Sequence, residues 1–105
     1  MEKGTEVVGV IDYQPHHWKW VADRDCKACV INEMYLRCAR VDGVRVGDCL
    51  LIREYEFLKG SFVDREYTGN EMVIRISSIT RSWEGLAGGF SLIEFTKVEY
   101  RAGVL

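Results

Sequence analysis

The sequence has no long hydrophobic run, since its apolar stretches fall well short of the roughly 20 residues that a membrane-spanning helix needs. Its beginning, MEKGTEVVGV, also lacks the basic and then apolar layout of a secretion signal. A transmembrane protein and a secreted protein are therefore both disfavoured. We expect a cytoplasmic protein that has no membrane partner.

Proline and low-complexity sequence are also scarce: one proline occurs in 105 residues, and no biased repeat is present. With 48% hydrophobic and 29% charged residues, the composition is that of a folded globular protein. A chain of this length has room for one hydrophobic core, so we predict a single domain over residues 1–105. The sequence does not indicate an oligomeric state.

An excess of positive charge is missing. The formal net charge is −2 and the isoelectric point is about 5.7, which argues against a protein that coats nucleic acid through charge alone. Arginines nevertheless fall close together at Arg37, Arg40 and Arg45, so a local basic face is compatible with the sequence.

The sequence does contain β-type patterning on either side of one early helix. EVVGVID (6–12) is β-branched and mostly apolar, and it predicts a strand buried on both faces. Pro15 suits the first turn of a helix over residues 14–24. In this helix Trp18 and Val21 lie three positions apart, which indicates a buried stripe anchored by Trp18.

Further strands are predicted along the rest of the chain. Segment 26–41 is long for one strand and should bend near Asn32, while segment 59–70 is typical of a hairpin excursion closed by Gly69. Strands with continuous or alternating apolar residues are predicted over 49–58, 71–80 and 90–100. No βαβ repeat occurs, which excludes a doubly wound parallel sheet. We predict a mainly β (α+β) fold, a small curved sheet or half-open β-barrel of five to six strands plugged at one end by the helix.

A second close pair of cysteines is missing. Cys26 and Cys29 have the spacing of a zinc or redox motif, but Cys38 and Cys49 stand alone. Structural zinc usually needs two close pairs, although a mixed site with a neighbouring histidine is conceivable. A redox pair needs the N-terminus of a helix, whereas this pair follows a helix. We therefore expect reduced thiols packed in a β-rich core, with no metal and no cofactor.

The order of three segments carries a family resemblance. VGDCLLIREYE (46–56), YTGNEMVIRISSIT (67–80) and GGFSLIEF (88–95) together resemble the DUF3850 group of the ASCH superfamily, whose members are PUA-like β-barrels. The resemblance covers roughly residues 13–96. It implies a cleft beside the early helix and the binding of RNA, nucleosides or modified bases. A few small ASCH proteins are amidohydrolases that act on acetylated cytidine.

In those hydrolases the segment after the helix is similar to K-T-x-T-I-R, and its lysine and second threonine are catalytic. The matching stretch here is KACVIN, which aligns Lys27 with the lysine, Ala28 and Val30 with the threonines, and Asn32 with the arginine. An alternative register moves Lys27 to the first threonine and Cys29 to the second. In either register the stretch lacks part of the catalytic set of those hydrolases. The resemblance therefore favours a protein without catalysis. Lys27 is the catalytic candidate if activity is present.

Candidate ligand-binding residues combine aromatic rings, which can stack on bases, with polar groups. Trp20 should point away from the buried side of the helix and could form an aromatic wall with Tyr13 and Trp83. Alternatively, Trp83 simply covers the end of the barrel. Arg53 could clamp a phosphate through its planar fork, or its strand could be an ordinary solvated face. The residues nominated for ligand binding are Lys27, Asn32, Arg53, Trp20, Trp83, His17 and Tyr55.

Three functions follow from these features. The leading prediction is a non-enzymatic ASCH/PUA-like module that binds RNA, a nucleoside or a related ligand in the cleft beside the N-terminal helix. A first alternative is a phage- or mobile-element-borne module that binds and inhibits a host protein, which the acidic balance and the depleted pocket favour. A second alternative is an amidohydrolase that acts on acetylated cytidine through Lys27.

Overall fold

A computed structural model describes residues 6–32, 37–38, 43–81 and 90–101. These ranges contain one helix and six strands, as the patterning predicts for a mainly β fold with one early helix. The elements are β1 (Val7–Tyr13), α1 (Pro15–Ala22), β2 (Ala28–Asn32), β3 (Arg37–Cys38), β4 (Cys49–Phe57), β5 (Arg65–Arg81) and β6 (Phe90–Arg101).

The six strands form one mixed sheet in the order β2-β6-β5-β4-β1-β3. All neighbouring pairs are antiparallel except β1 and β4, which run parallel with Val10 beside Leu51 and Tyr13 beside Glu54. Within the described ranges β2 and β3 are the two edges, and the sheet is not closed. The parallel pair brings the first strand of the chain into the interior of the sheet.

The core lies between α1 and the sheet. Trp18 and Val21 are both buried, which confirms the predicted helix stripe. Trp18 also stacks on Tyr100, with ring centroids 6.1 Å apart. The helix begins at Pro15, where the missing backbone N–H would have no partner in a helix in any case. The fully buried large side chains of the sheet are Leu50, Ile52, Met72, Ile74, Ile76 and Ile93.

The burial of β1 differs from the prediction of a strand covered on both faces. Gly9 is its only buried residue, and Val7 is exposed. The reason is that Val10, Ile11, Asp12 and Tyr13 line an open cleft, so only part of this strand is covered by the core.

The hairpin between β4 and β5 turns earlier than predicted. Its turn spans residues 58–64, and β5 begins at Arg65 and continues for 17 residues. Gly69 therefore lies inside the strand rather than at a closing turn. Arg53 pairs with Glu71 and Tyr55 pairs with Tyr67, so a three-residue bulge of β5 faces one residue of β4. The positive φ of Gly69, 92°, fits this bulge, because glycine adopts such a conformation without a steric penalty.

Several predictions fall on parts of the chain outside the described residues. They include the bend after Asn32, Arg40, Trp83 and most of the glycine-rich segment 81–90. In the part of the chain that is described, no helix has both the length and the apolar character needed to cross a membrane.

Candidate ligand-binding cleft

A cleft of about 960 Å³ opens beside α1. Its lining comes from the second half of β1, the outward side of α1, the whole of β2, the outer part of the β4–β5 hairpin and the start of β6. This volume lies near the upper end of the range of roughly 300–1,000 Å³ that small-molecule sites occupy. The cleft therefore has room for more than a single flat ring.

The helix contributes an aromatic side to the cleft. His17 and Trp20 lie three residues apart and share one side of α1, whereas Trp18 and Val21 face the core. The rings of His17 and Trp20 meet edge to face at a centroid distance of 6.4 Å, and His17 lies 5.6 Å from Tyr13. Because Trp20 is 70% exposed, its ring is accessible for stacking by a ligand.

The β4–β5 hairpin contributes further aromatic residues to the cleft. Tyr55 and Tyr67 are direct cross-strand partners and both line the cleft. The guanidinium carbon of Arg65 lies 4.6 Å from the centre of the Tyr55 ring, a cation–π contact at the edge of the cleft. The hairpin therefore contributes two aromatic rings and one cation to the lining of the cleft.

Asp12, Arg53 and Tyr67 form a polar network that joins β1 to the β4–β5 hairpin. Nε of Arg53 donates to Oδ1 of Asp12 at 3.1 Å, and Nη2 donates to the Tyr67 hydroxyl at 2.8 Å. The Tyr67 hydroxyl in turn donates to Oδ2 of Asp12 at 2.7 Å. Arg53 also lies over the Tyr67 ring, with its guanidinium carbon 4.1 Å from the ring centre. Its guanidinium fork thus holds two cleft residues in place.

A buried carboxylate fixes the bulge that shapes the hairpin. Oε1 of Glu54 accepts hydrogen bonds from Oγ1 of Thr68 and from Nδ2 of Asn70, each at 2.8 Å. These two residues flank Gly69 in β5, and Glu54 is the single β4 residue opposite them. A bulge bends its strand and increases the local twist. Glu54 therefore sets the direction in which the outer hairpin, with Tyr55 and Tyr67, leaves the sheet.

The floor of the cleft contains a half-buried tyrosine and thiol. The Tyr13 hydroxyl contacts Sγ of Cys29 at 3.9 Å and the carbonyl oxygen of Val30 at 3.5 Å, which connects β1 to β2. Burial raises the pKa of the Cys29 thiol from 9.0 to about 11, although its hydrogen bond with Tyr13 acts in the opposite direction. Burial also raises the pKa of Tyr13, and the nearby Cys29 adds to this. Cys29 is therefore a neutral thiol at physiological pH.

The two cysteines of the CxxC motif, Cys26 and Cys29, are in surroundings that disfavour metal binding and redox chemistry. Sγ of Cys26 donates to the carbonyl oxygen of Ala28 at 3.3 Å, and Cys26, Cys29 and Cys49 are free thiols. Metal ligation and thiol–disulfide exchange both use the thiolate, which the raised pKa of Cys29 disfavours. Among the residues that the structure describes, no three His, Cys, Asp or Glu side chains converge on a common point.

The structure brings together four of the residues nominated for ligand binding. His17, Trp20, Asn32 and Tyr55 all line the cleft. Arg53 supports the lining through Asp12 and Tyr67. Lys27 is exposed just before β2 and is not part of the lining, and Trp83 lies outside the described residues.

Among the charged and hydroxyl-bearing residues of the cleft, the sequence did not indicate Asp12, Arg65 or Tyr67. Asp12 and Tyr67 meet Arg53 because β1 lies parallel to β4 while β5 lies antiparallel to it, and no local pattern specifies that arrangement. The available signal was the glycine between two hydrogen-bonding residues, Thr68 and Asn70, within an otherwise regular strand. Such a glycine indicates a bulge.

The chain was also compared with known proteins. Neither the models of protein families nor the curated proteins gave a match. The resemblance to the DUF3850 group therefore stays a prediction, and the geometry of the cleft is the basis for a functional assignment.

Proposed function

We propose that the chain is an ASCH/PUA-like module that binds RNA or a nucleoside in the cleft beside α1 and performs no chemistry on it. The observation that carries this proposal is that four aromatic rings line one cleft, Trp20 and His17 on the helix and Tyr55 and Tyr67 on the hairpin. In this proposal the mixed sheet corresponds to the curved barrel of that superfamily, with Tyr13 drawing β1 and β2 together.

The chemistry of the lining suits a flat, partly polar ligand. Aromatic rings accept any base by stacking, a contact worth about 1–3 kcal/mol per base. Arg65 at the cleft edge can add a charge-assisted hydrogen bond to a phosphate. Asn32 lines the same cleft and carries an amide of the kind that reads base edges. The lining also includes apolar residues such as Ile11 and Val21, from which a bound ligand would displace water.

Hydrolysis of acetylated cytidine would need a lysine beside a hydroxyl group within the cleft. Lys27 is exposed outside the lining, and Ala28 and Val30, the residues aligned with the threonines, carry no hydroxyl. A lysine acts as a base or nucleophile only where desolvation or a neighbouring cation lowers its pKa. The arrangement therefore supports binding rather than amide cleavage.

The first test removes the exposed tryptophan. In a fluorescence titration of labelled single-stranded RNA oligomers and of nucleosides at low salt, Trp20→Ala is expected to weaken binding about 10-fold, since about 1.4 kcal/mol of stacking is lost. Val46→Ala is the matched control, because Val46 is also an exposed apolar residue but lies outside the cleft. Absence of binding by the wild-type protein at low salt, where electrostatic attraction is strongest, would contradict the proposal.

A second test compares two cations. Arg65→Ala is expected to weaken RNA binding about 5- to 10-fold and to lower its dependence on salt, because Arg65 lies at the cleft edge. Lys27→Ala is expected to have a smaller effect, since Lys27 is not part of the lining. The same titration repeated at several salt concentrations measures both quantities. A larger effect for Lys27 than for Arg65 would place the ligand on the outer side of β2 instead.

A further inference from the structure

The turn of the β4–β5 hairpin exposes an unusual amount of apolar surface. Phe62 is 92% exposed and Val63 is 80% exposed, and Phe57 and Leu58 beside them are also exposed. We refer to residues 57–64 as the hairpin tip. Isolated exposed apolar side chains are ordinary, but a group of them at one end of an element is typical of an interaction surface.

The hairpin tip is an ordered turn. Oγ of Ser61 accepts hydrogen bonds from the backbone N–H groups of Val63 at 3.2 Å and Asp64 at 2.9 Å. The N–H of Leu58 donates to the carbonyl of Asp64 at 2.9 Å, and the N–H of Ser61 donates to the carbonyl of Leu58 at 2.9 Å. Gly60, with φ of 81°, permits the tight turn. A preformed turn loses little entropy when its side chains are buried in a partner.

Acidic groups flank the tip. Glu56 and Glu66 are direct cross-strand partners, and both are exposed. Like charges that face each other across two strands destabilise the pair, and a nearby positive charge relieves this cost. Strand alternation places Glu56 and Glu66 on the face opposite Tyr55 and Tyr67. The hairpin therefore presents an apolar end, with the two exposed carboxylates of Glu56 and Glu66 on one face beside it.

The complementary surface lies on the same molecule. The lining of the cleft includes the apolar residues Val10, Ile11 and Val30, and its volume of about 960 Å³ exceeds that of a phenylalanine and a valine side chain together. The negative charge of Asp12 in its lining is compensated by Arg53. Because Asp12 is compensated in this way, the charge of Arg65 makes the edge of the cleft positive overall.

We propose that two copies of this chain associate by exchanging hairpin tips, each placing Phe62 and Val63 in the cleft of the other. Glu56 and Glu66 of each hairpin then approach Arg65 at the cleft of the partner copy. A reciprocal exchange forms a closed dimer with two identical contacts, whereas a one-way contact would extend into a filament. The tip and any cleft ligand compete for the same space. The proposal rests on the geometry of the cleft and does not depend on RNA or nucleoside binding.

Sedimentation velocity tests the dimer. Between about 1 µM and about 1 mM, a range that covers weak interfaces, the wild-type protein is expected to change from monomer to dimer. The double change Phe62→Ser and Val63→Ser is expected to raise the dissociation constant at least about 10-fold, because two apolar side chains no longer become buried. Val46→Ser is the matched control and should leave the constant unchanged, since Val46 is 62% exposed and lies outside both surfaces.

Mixing two defective proteins distinguishes tip-in-cleft exchange from other contacts. A Val30→Glu protein keeps its tip but has a charge in its cleft, and a Phe62→Ser protein keeps its cleft but lacks its tip. Each alone is expected to be a weaker dimer than the wild type, and the mixture should sediment faster than either component. Circular dichroism confirms that both fold, and Ala28→Glu, at a second exposed cleft position, replaces Val30→Glu if that protein unfolds.

Three outcomes overturn the proposal. If the wild-type protein stays monomeric throughout the concentration range, the tip does not bind a second copy. Its apolar surface would then fit a different protein, such as the host protein of the alternative function. A dimer that is lost with Phe62→Ser but not with Val30→Glu indicates that the tips pack against each other. A mixture that sediments no faster than its components excludes the exchange of tips. None of these outcomes bears on RNA binding, which the titration of Trp20→Ala tests separately.

Discussion

Raising the pH from about 8 to about 11 is expected to lower the free energy of unfolding by at least about 2–3 kcal/mol. The folded protein keeps the Cys29 proton until the pKa of about 11, whereas the unfolded chain releases it near the ordinary value of 9.0. The contribution of Cys29 to the free energy of unfolding is therefore fully present below pH 9 and is lost as the pH rises toward 11. The raised pKa of Tyr13 extends the loss to higher pH, because its ordinary value is 10.0.

Denaturant unfolding at a series of pH values, followed by tryptophan fluorescence, measures this effect. The double change Tyr13→Phe and Cys29→Ala removes both titrating groups and should flatten most of the decline between pH 9 and 11. Tyr100→Phe is the matched control, because Tyr100 is exposed and carries a hydroxyl away from the cleft. A Tyr13→Phe, Cys29→Ala protein with the full wild-type decline would show that other groups cause the alkaline sensitivity.

Replacing Glu54 by alanine is expected to lower the free energy of unfolding by about 2–4 kcal/mol. The two hydrogen bonds to its carboxylate contribute about 1.5–3 kcal/mol each, and removing the cost of burying that carboxylate offsets part of their loss. Both Thr68 and Asn70 lose their acceptor, and the bulge at Gly69 loses the contacts that fix it. Since the bulge directs the outer hairpin, ligand binding in the cleft should weaken in the same variant. Urea unfolding and the RNA titration measure the two effects on one sample.

Glu56→Ala provides the control for this prediction. Glu56 is the same residue type two positions further along β4, but it is exposed and faces Glu66 instead of the bulge. Its replacement should change stability by no more than about 0.5 kcal/mol, as is usual for surface positions. If Glu54→Ala and Glu56→Ala have equal effects, the buried carboxylate does not hold the bulge.

The parts of the fold that sequence patterns predict are those set by local periodicity. The proline at the first turn and the three-residue spacing of Trp18 and Val21 correctly indicate α1 and its buried side. The same helix geometry explains why Trp20 was correctly expected on a side away from the core. The strands β4 and β6 also follow directly from alternating or continuous apolar residues.

The parts that the sequence does not predict depend on which strands become neighbours. The burial of β1 was overestimated, since an apolar strand can line a cleft as well as a core. The turn of the β4–β5 hairpin was misplaced because Gly69 is equally suited to a turn and to a bulge. Arg53 was nominated as a ligand clamp, but its side chain binds Asp12, a residue that only the parallel pairing of β1 with β4 brings near.

The interior position of β1 also has a consequence for the speed and order of folding. Val7 pairs with Cys49, and Ala28 of β2 pairs with Glu94 of β6, so strands made early must wait for partners that are synthesised much later. Folds dominated by such distant pairings form slowly, in about milliseconds to seconds, because the loops must close before the contacts stabilise them. During synthesis the β-branched segment VVGVI is unpaired and exposed to aggregation. The arrangement that builds the cleft thus makes the first strand the most vulnerable part of the nascent chain.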